Sequence, residues 1–318
     1  MFAGPVHIPD VVLRSELLVA GWSPDEIRRM VTRGDLRRLG RGTYTTAGPA
    51  PADRRVEHVL RVRAVVRRLD PTAVVSHASA AAVHGLPCWG LPLDRVVVTR
   101  ARVSGARRSA ELLVRAAPLP DHDVTSVMLP GDAGTLRVTA PARTVVDVAR
   151  TYGFEQAVVV ADAALARPRR DVPPLVTPDE LVAAVADAGG RPGAAAARRV
   201  ATFADGRSGS PGESRSRVAM DAAGLAVPVL QYEIRDAVGV HVATVDFAWP
   251  ERRTVGEFDG KIKYGRLLRP GEEPGDAVYR EKLREDAIRA EGWTVVRWRW
   301  QEIRPFTPVL ARLRPRLG

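Results

Sequence analysis

The stretch "VDFAWPERRTVGEFDG", Val245–Gly260, sets carboxylates at Asp246, Glu257 and Asp259 inside runs that otherwise have the apolar, β-branched make-up of strands. Alternate side chains of a strand face opposite ways. Val245 and Phe247 therefore share one face while Asp246 takes the other, and Glu257 and Asp259 share the face opposite Phe258. A tight turn after Pro250, centred between Glu251 and Arg252, makes the strands antiparallel and pairs Asp246 with Glu257, which are equidistant from it. Cross-strand neighbours on one face have Cβ atoms about 5 Å apart, close enough for two carboxylates to grip one hard cation. Uncompensated, they repel. The alternative is a solvated face neutralised by Arg252, Arg253 or Lys261.

Outward from this hairpin, "GESRSRVAMDAAGL" reads as a helix carrying Glu213, and "VPVLQYEIR" as a preceding strand. Beyond it come a charged helix, "DAVYREKLREDAIRAEG", and the strand "WTVVRWRW", in which Val296, Trp298 and Trp300 alternate with Val295, Arg297 and Arg299. One side can pack while Arg297 and Arg299 reach outward toward a nucleic-acid backbone.

The order helix, three strands, helix, strand resembles the PD-(D/E)XK nuclease superfamily, particularly its very-short-patch-repair-like branch, over Gly212 to Ile303. The resemblance implies a restriction-endonuclease-like α/β domain with a central mixed sheet. It also implies Mg²⁺ or Mn²⁺ on Asp246 and Glu257, and Glu213 as the helical acid. The reaction implied is that of a metal-dependent endodeoxyribonuclease, phosphodiester hydrolysis by a metal-activated water. Asp259 stands where the superfamily has a lysine; Lys261 and Lys263 just beyond the strand could supply that cation, with Asp259 as a further metal ligand.

At the other end, "PDVVLRSELLVAGWSPDEIRRMVTRGDLRRLGRGTYTTA", residues 9–47, reads as helix, turn, helix and hairpin, the plan of a winged helix-turn-helix. Val12, Leu13, Leu17 and Leu18 give the first helix an apolar face; Ser23, Pro24 and Glu26 form the start signal of the second, with Ile27, Met30 and Val31 inward. Arg28, Arg29 and Arg33 on that helix, with Arg37, Arg38 and Arg41 in the hairpin, make six arginines against the one acid Asp35 across residues 28–41. Such a footprint suits phosphates.

Residues 52–165 read as mixed α/β, with strands at Ala73–Val75, "RVVVTR", "ELLVRAA" and "TLRVTA" and helices at "RRVEHVLRVRAVVRRL", "PARTVVDVARTYG" and "FEQAVVVADAALA". His77 and His84 lie two helical turns apart with no third ligand nearby, and read as structural. The strings "DLRRLGRGTYTT", "SHASAAAVHGLP", "APARTVVDVAR" and "ADAAL" together resemble the AbiEi-type antitoxins of type IV toxin–antitoxin systems, in their actinobacterial form. That resemblance implies promoter binding and a nucleotidyltransferase-like toxin as partner.

The expected organisation is a multidomain α/β chain: a winged helix-turn-helix at 1–50, an antitoxin-like α/β domain with a helical connector at 51–205, and a nuclease-like domain at 206–318, after the flexible "DGRSGSPG". Two functions stay open: a DNA endonuclease, or a non-catalytic regulator built on a degenerate nuclease fold. The chain of 318 residues carries a net charge of +11, which favours a polyanionic partner. One cysteine, Cys88, excludes an intramolecular disulfide or a cysteine-cluster zinc site. With no long apolar run or leader-like N-terminus, a cytoplasmic protein free of membrane is expected.

Overall fold

A computed structural model describes residues 11–46, 48, 50–101, 105–129, 135–167, 169, 171–260 and 274–318. The chain divides into two compact units, Met1–Ala204 and Asp205–Gly318.

The first unit opens with β1 (Val11–Leu13), α1 (Arg14–Val19), α2 (Pro24–Arg33), β2 (Arg37–Gly40) and β3 (Thr43–Thr45). Its three strands form an antiparallel sheet in the order β1-β3-β2. Here Val12 and Leu13, expected on the first helix, are strand residues: Leu13 is extended (φ −86°, ψ 149°) and its N–H is taken by the Glu16 carboxylate at 2.9 Å, so the helix begins only at Arg14. The start of α2 is the expected one. Ser23 Oγ accepts from Glu26 N at 3.2 Å, and Glu26 Oε2 accepts from Ser23 N at 2.8 Å. Gly34, at φ 86°, closes the helix in the left-handed region that only glycine adopts freely. Leu17, Ile27 and Leu36 form the small core, with Met30, Val31 and Tyr44 against it.

Behind this lie α3 (Arg54–Val66), β4 (Val74–Val75), α4 (His77–Val83), β5 (Val96–Arg100), β6 (Arg107–Arg108), β7 (Leu112–Ala116), β8 (Val124–Met128), β9 (Thr135–Thr139), α5 (Pro141–Thr151) and α6 (Phe154–Leu165). A mixed six-stranded sheet runs β6-β7-β5-β4-β9-β8. Its two edge strands, β6 and β8, have no strong apolar alternation and were not expected from the sequence. The buried face of α3 (Val59, Leu60, Val62) packs with Val75, Val98 and Val138 of the sheet. Helices α7 (Pro178–Asp187) and α8 (Ala194–Phe203) complete the unit.

The second unit runs α9 (Pro211–Ala222), β10 (Val229–Arg235), β11 (His241–Trp249), β12 (Thr254–Asp259), α10 (Pro274–Ala290), β13 (Thr294–Arg299), α11 (Trp300–Ile303) and α12 (Thr307–Leu317). The mixed sheet has the order β10-β11-β12-β13, with β12 and β13 parallel and the other neighbours antiparallel. Trp300, expected on the last strand, instead starts α11. Phe247, Trp298, Phe258 and Met220 form a buried core with Val309 and Leu313 of α12. Two glycines admit these aromatics: a Cβ on Gly212 would stand 1.9 Å from the Phe258 ring and one on Gly256 2.6 Å from that of Trp298. Among the described residues no helix is long and apolar enough to cross a membrane.

Candidate nucleic-acid interface and acidic cluster

The capping box at Ser23 fixes where α2 begins and therefore which way its arginines point. Ile27 is buried, and Arg28, Arg29 and Arg33 are exposed on the other side. Arg28 has a surface pair with Asp25 (2.9 Å) but keeps 75% of its side chain in water. In the β2–β3 hairpin Arg38 and Arg41 are also exposed. Arg37 is different. It forks onto Glu57 of α3, with Nη1 to Oε1 and Nη2 to Oε2 both at 2.9 Å, and so serves to attach the hairpin rather than to present a cation.

In the second unit the hairpin has the register expected from its turn. Phe247 faces Gly256, Ala248 faces Val255 and Trp249 faces Thr254. The bend is a 3-10 turn, Pro250–Arg252, followed by Arg253 in the left-handed region (φ 46°). The recorded ladder ends one step before Asp246 and Glu257, where the Asp246 carboxylate itself accepts the Phe258 N–H at 2.9 Å.

Glu257 is buried at 6% exposure. Arg284 of α10 grips it with two nitrogens, at 2.7 Å to Oε1 and 3.2 Å to Oε2, and Arg297 of β13 adds a contact of 2.9 Å to Oε2. The parallel β12–β13 register makes this natural, since it sets Arg297 beside Glu257 and Arg299 beside Asp259. Glu281 joins through Arg284 (3.0 Å) and Arg297 (2.6 Å). Burial alone would raise the Glu281 pKa, but the Arg297 and Arg284 guanidiniums hold it below the usual carboxylate value. Burial likewise works against charge on Arg284 and is outweighed by Glu257 and Glu281, which raise its pKa.

The other acids are also engaged. Glu213, 5% exposed, accepts from Gly209 N (2.7 Å), Ser210 Oγ (2.8 Å) and Gln231 Nε2 (3.1 Å). Asp259 lies 3.9 Å from Arg299, whose side chain is 62% exposed. Lys261 and Lys263 lie outside the described residues. Among the described residues no group of three or more His, Cys, Asp and Glu side chains is arranged to hold a metal ion.

In the first unit His77 Nδ1 lies 2.9 Å from Ser76 Oγ, and His84 Nε2 lies 2.8 Å from the Thr139 carbonyl. Burial drives His77 down to about 4, and the Cys88 thiol up to about 12. These groups are packed and neutral at pH 7. Sequence reasoning missed the buried ion network in which Arg143 pairs with Asp123 (2.5 Å) and Asp147 (3.0 Å). Its one sequence signal is the i,i+4 spacing of Arg143 and Asp147.

Residues 8–47 match the family described as "Transcriptional regulator, AbiEi antitoxin". Two curated relatives, the uncharacterized proteins MT2308 and Rv2248 of two Mycobacterium tuberculosis strains, are each 38% identical over 158 residues, which is 50% of this chain and 53% of theirs. The match thus spans about half the length of the curated relatives. A crystal structure of the RV2827C protein from Mycobacterium tuberculosis aligns over 72% of this chain and 84% of its own at 18% identity, with a TM-score of 0.37.

Proposed function

We propose, from the antitoxin-regulator match at residues 8–47, that this chain is a DNA-binding transcriptional regulator whose α2 lies against the duplex and whose β2–β3 hairpin is the wing. The observation that carries this is the sidedness of α2. Ile27 is inside, and Arg28, Arg29 and Arg33 face water together within the matched segment. Exposed guanidiniums release condensed counterions on meeting phosphate, whereas guanidiniums already paired with carboxylates add little. Arg38 and Arg41 extend the same charge along the hairpin, and Arg37 supports it from behind. A nucleotidyltransferase-like toxin is the partner that the antitoxin resemblance brings with it, and co-purification with such a protein tests that part.

The second unit is read as a nuclease-like scaffold that does not cut. A divalent cation on Asp246 and Glu257 would need carboxylate oxygens turned toward it and not already taken by guanidinium donors. Glu257 already has both oxygens on guanidiniums, and one Asp246 oxygen caps a backbone N–H, so these donors do not fit the ion as they stand. The endonuclease reading keeps one observation in its favour, the β11–β12 register, which carried one step beyond its last pair, Phe247 with Gly256, would bring Asp246 opposite Glu257.

The deciding experiment measures binding and cleavage on the same full-length protein. Anisotropy titration with duplex DNA from upstream of its own coding region should give binding that weakens with salt, and Arg29→Ala with Arg33→Ala should flatten the salt slope by about one unit each. Wild-type binding indifferent to both substitutions would refute the interface. Plasmid nicking in Mg²⁺ or Mn²⁺ that disappears in Asp246→Ala and Glu257→Ala would establish the nuclease instead.

A further inference from the structure

The backbone of Arg41, at the turn between β2 and β3, is held at both its N–H and its carbonyl by residues far away in sequence. Its N–H donates to Glu111 Oε1 at 3.0 Å, and its carbonyl accepts from Arg68 Nη1 at 2.8 Å. Glu111 and Arg68 are themselves joined, Nη2 to Oε2 at 3.0 Å. The three groups close a ring that spans both peptide bonds flanking one residue. Glu111 leads into β7 and Arg68 follows α3, so neither belongs to the matched segment 8–47.

A side chain at Gly40 would press on the Glu111 carboxylate of this ring. A Cβ on Gly40 would stand 2.9 Å from Glu111 Oε1. A pocket of about 70 Å³ opens beside the hairpin, lined by Leu39, Gly40, Val65 and Val96 and by Arg68 and Glu111 themselves. Where apolar contact leaves a gap, the orientation of the hairpin tip falls to its polar contacts. The Arg41 N–H, and then Arg68, also hold the Glu111 carboxyl below its usual pKa, so it is the charged form that makes the grip.

We propose that Glu111 and Arg68 are positioning residues for DNA recognition: gripping the Arg41 backbone, they aim the exposed side chains of Arg38 and Arg41 at phosphate. This rests on the DNA-binding reading above. It makes the hairpin a part of the α/β body rather than an independent wing, and it predicts an effect opposite in sign to that of simple charge. Removing a carboxylate makes the chain more positive and by electrostatics alone would strengthen binding to DNA. Releasing the grip weakens it.

The test is anisotropy titration of the full chain with a random-sequence duplex at several salt concentrations. Glu111→Leu, which removes both charge and acceptor, should weaken binding roughly tenfold, and Glu111→Gln, which keeps an acceptor oxygen for the Arg41 N–H, about threefold. Glu111→Leu should be non-additive with Arg41→Ala, since both lose the same phosphate contact. Affinity equal to or above wild type in Glu111→Leu, or full additivity, overturns the proposal. Unchanged thermal unfolding of Glu111→Gln guards against a folding defect. If wild type fails to bind DNA at all, the DNA reading falls. Hydrogen exchange of the Arg41 amide then decides the grip by itself: protected in wild type and released in Glu111→Leu if it exists, equal in both if it does not.

Discussion

The arginines of α2 and those of the second unit's sheet do opposite things with the same side chain. Arg28, Arg29 and Arg33 stand in water with at most a surface pair, whereas Arg284 and Arg297 are turned inward on Glu257 and Glu281. A net charge of +11 therefore does not map onto a binding surface. A guanidinium that already neutralises a buried carboxylate stabilises the fold, and only an unspent one attracts a polyanion.

The largest effect that separates the units is their response to acid. Burial lowers His58 and His77 in the first unit to about 4, from 6.5. The unfolded chain then binds protons that the folded one refuses, so stability is complete above pH 6.5 and falls as pH drops from 6.5 toward 4. The loss is on the order of 3 kcal/mol per histidine. In the second unit the depressed groups are the carboxylates Asp205 and Glu281, whose contributions are present above their unfolded values of 3.8 and 4.5 and are lost only as pH falls below them. Urea unfolding at pH 7, 5.5 and 4.5, followed by hydrogen exchange resolved by segment, should show the first unit weakening first. Simultaneous weakening of both would erase the contrast.

Next in size, replacing Arg28, Arg29 and Arg33 together with Ala should reduce affinity for duplex DNA about a hundredfold near physiological salt, roughly 2.7 kcal/mol. Replacing exposed Arg299 should change it far less. Arg284→Ala should leave DNA binding intact and destabilise the second unit by about 2 kcal/mol, because buried Glu257 keeps only Arg297. Denaturation followed by the fluorescence of its tryptophans measures this. DNA affinity falling in Arg284→Ala would mean that the two kinds of arginine are not distinct.

Much of this was legible in the sequence because it rests on local periodicity. The register of β11 on β12 follows from the turn at Pro250–Arg252. The sidedness of α2 follows from Ser23, Pro24 and Glu26. What escaped depends on elements brought together from afar. That Arg297 lies beside Glu257 needs the parallel pairing of β12 with β13, and that Arg284 reaches it needs the lie of α10, neither of which any single segment states. Glu57, Arg68 and Glu111 read as ordinary surface charges until the tertiary fold sets them against the hairpin. Val12 and Leu13 escape for an opposite reason. An apolar pair before a helix satisfies its periodicity equally well as a strand, and only pairing with β3 decides between them.

The smallest effect offers the finest control, because the first unit contains the same cap twice. Ser23 opens α2 and Thr177 opens α7, each accepting from the glutamate three residues on at 3.2 Å and each with its N–H held by that glutamate at 2.8 Å. Proline follows the cap in both. Ser23→Ala and Thr177→Ala should each cost about 1 kcal/mol in unfolding experiments, since each removes one cap acceptor from an exposed helix start. Only Ser23→Ala loosens the helix that carries Arg28, Arg29 and Arg33, so only it should weaken DNA binding, by about twofold to threefold, with the salt slope unchanged because every guanidinium is still present. Equal losses of affinity in the two variants would trace DNA binding to the stability of the whole unit, and the special place given to α2 would be lost.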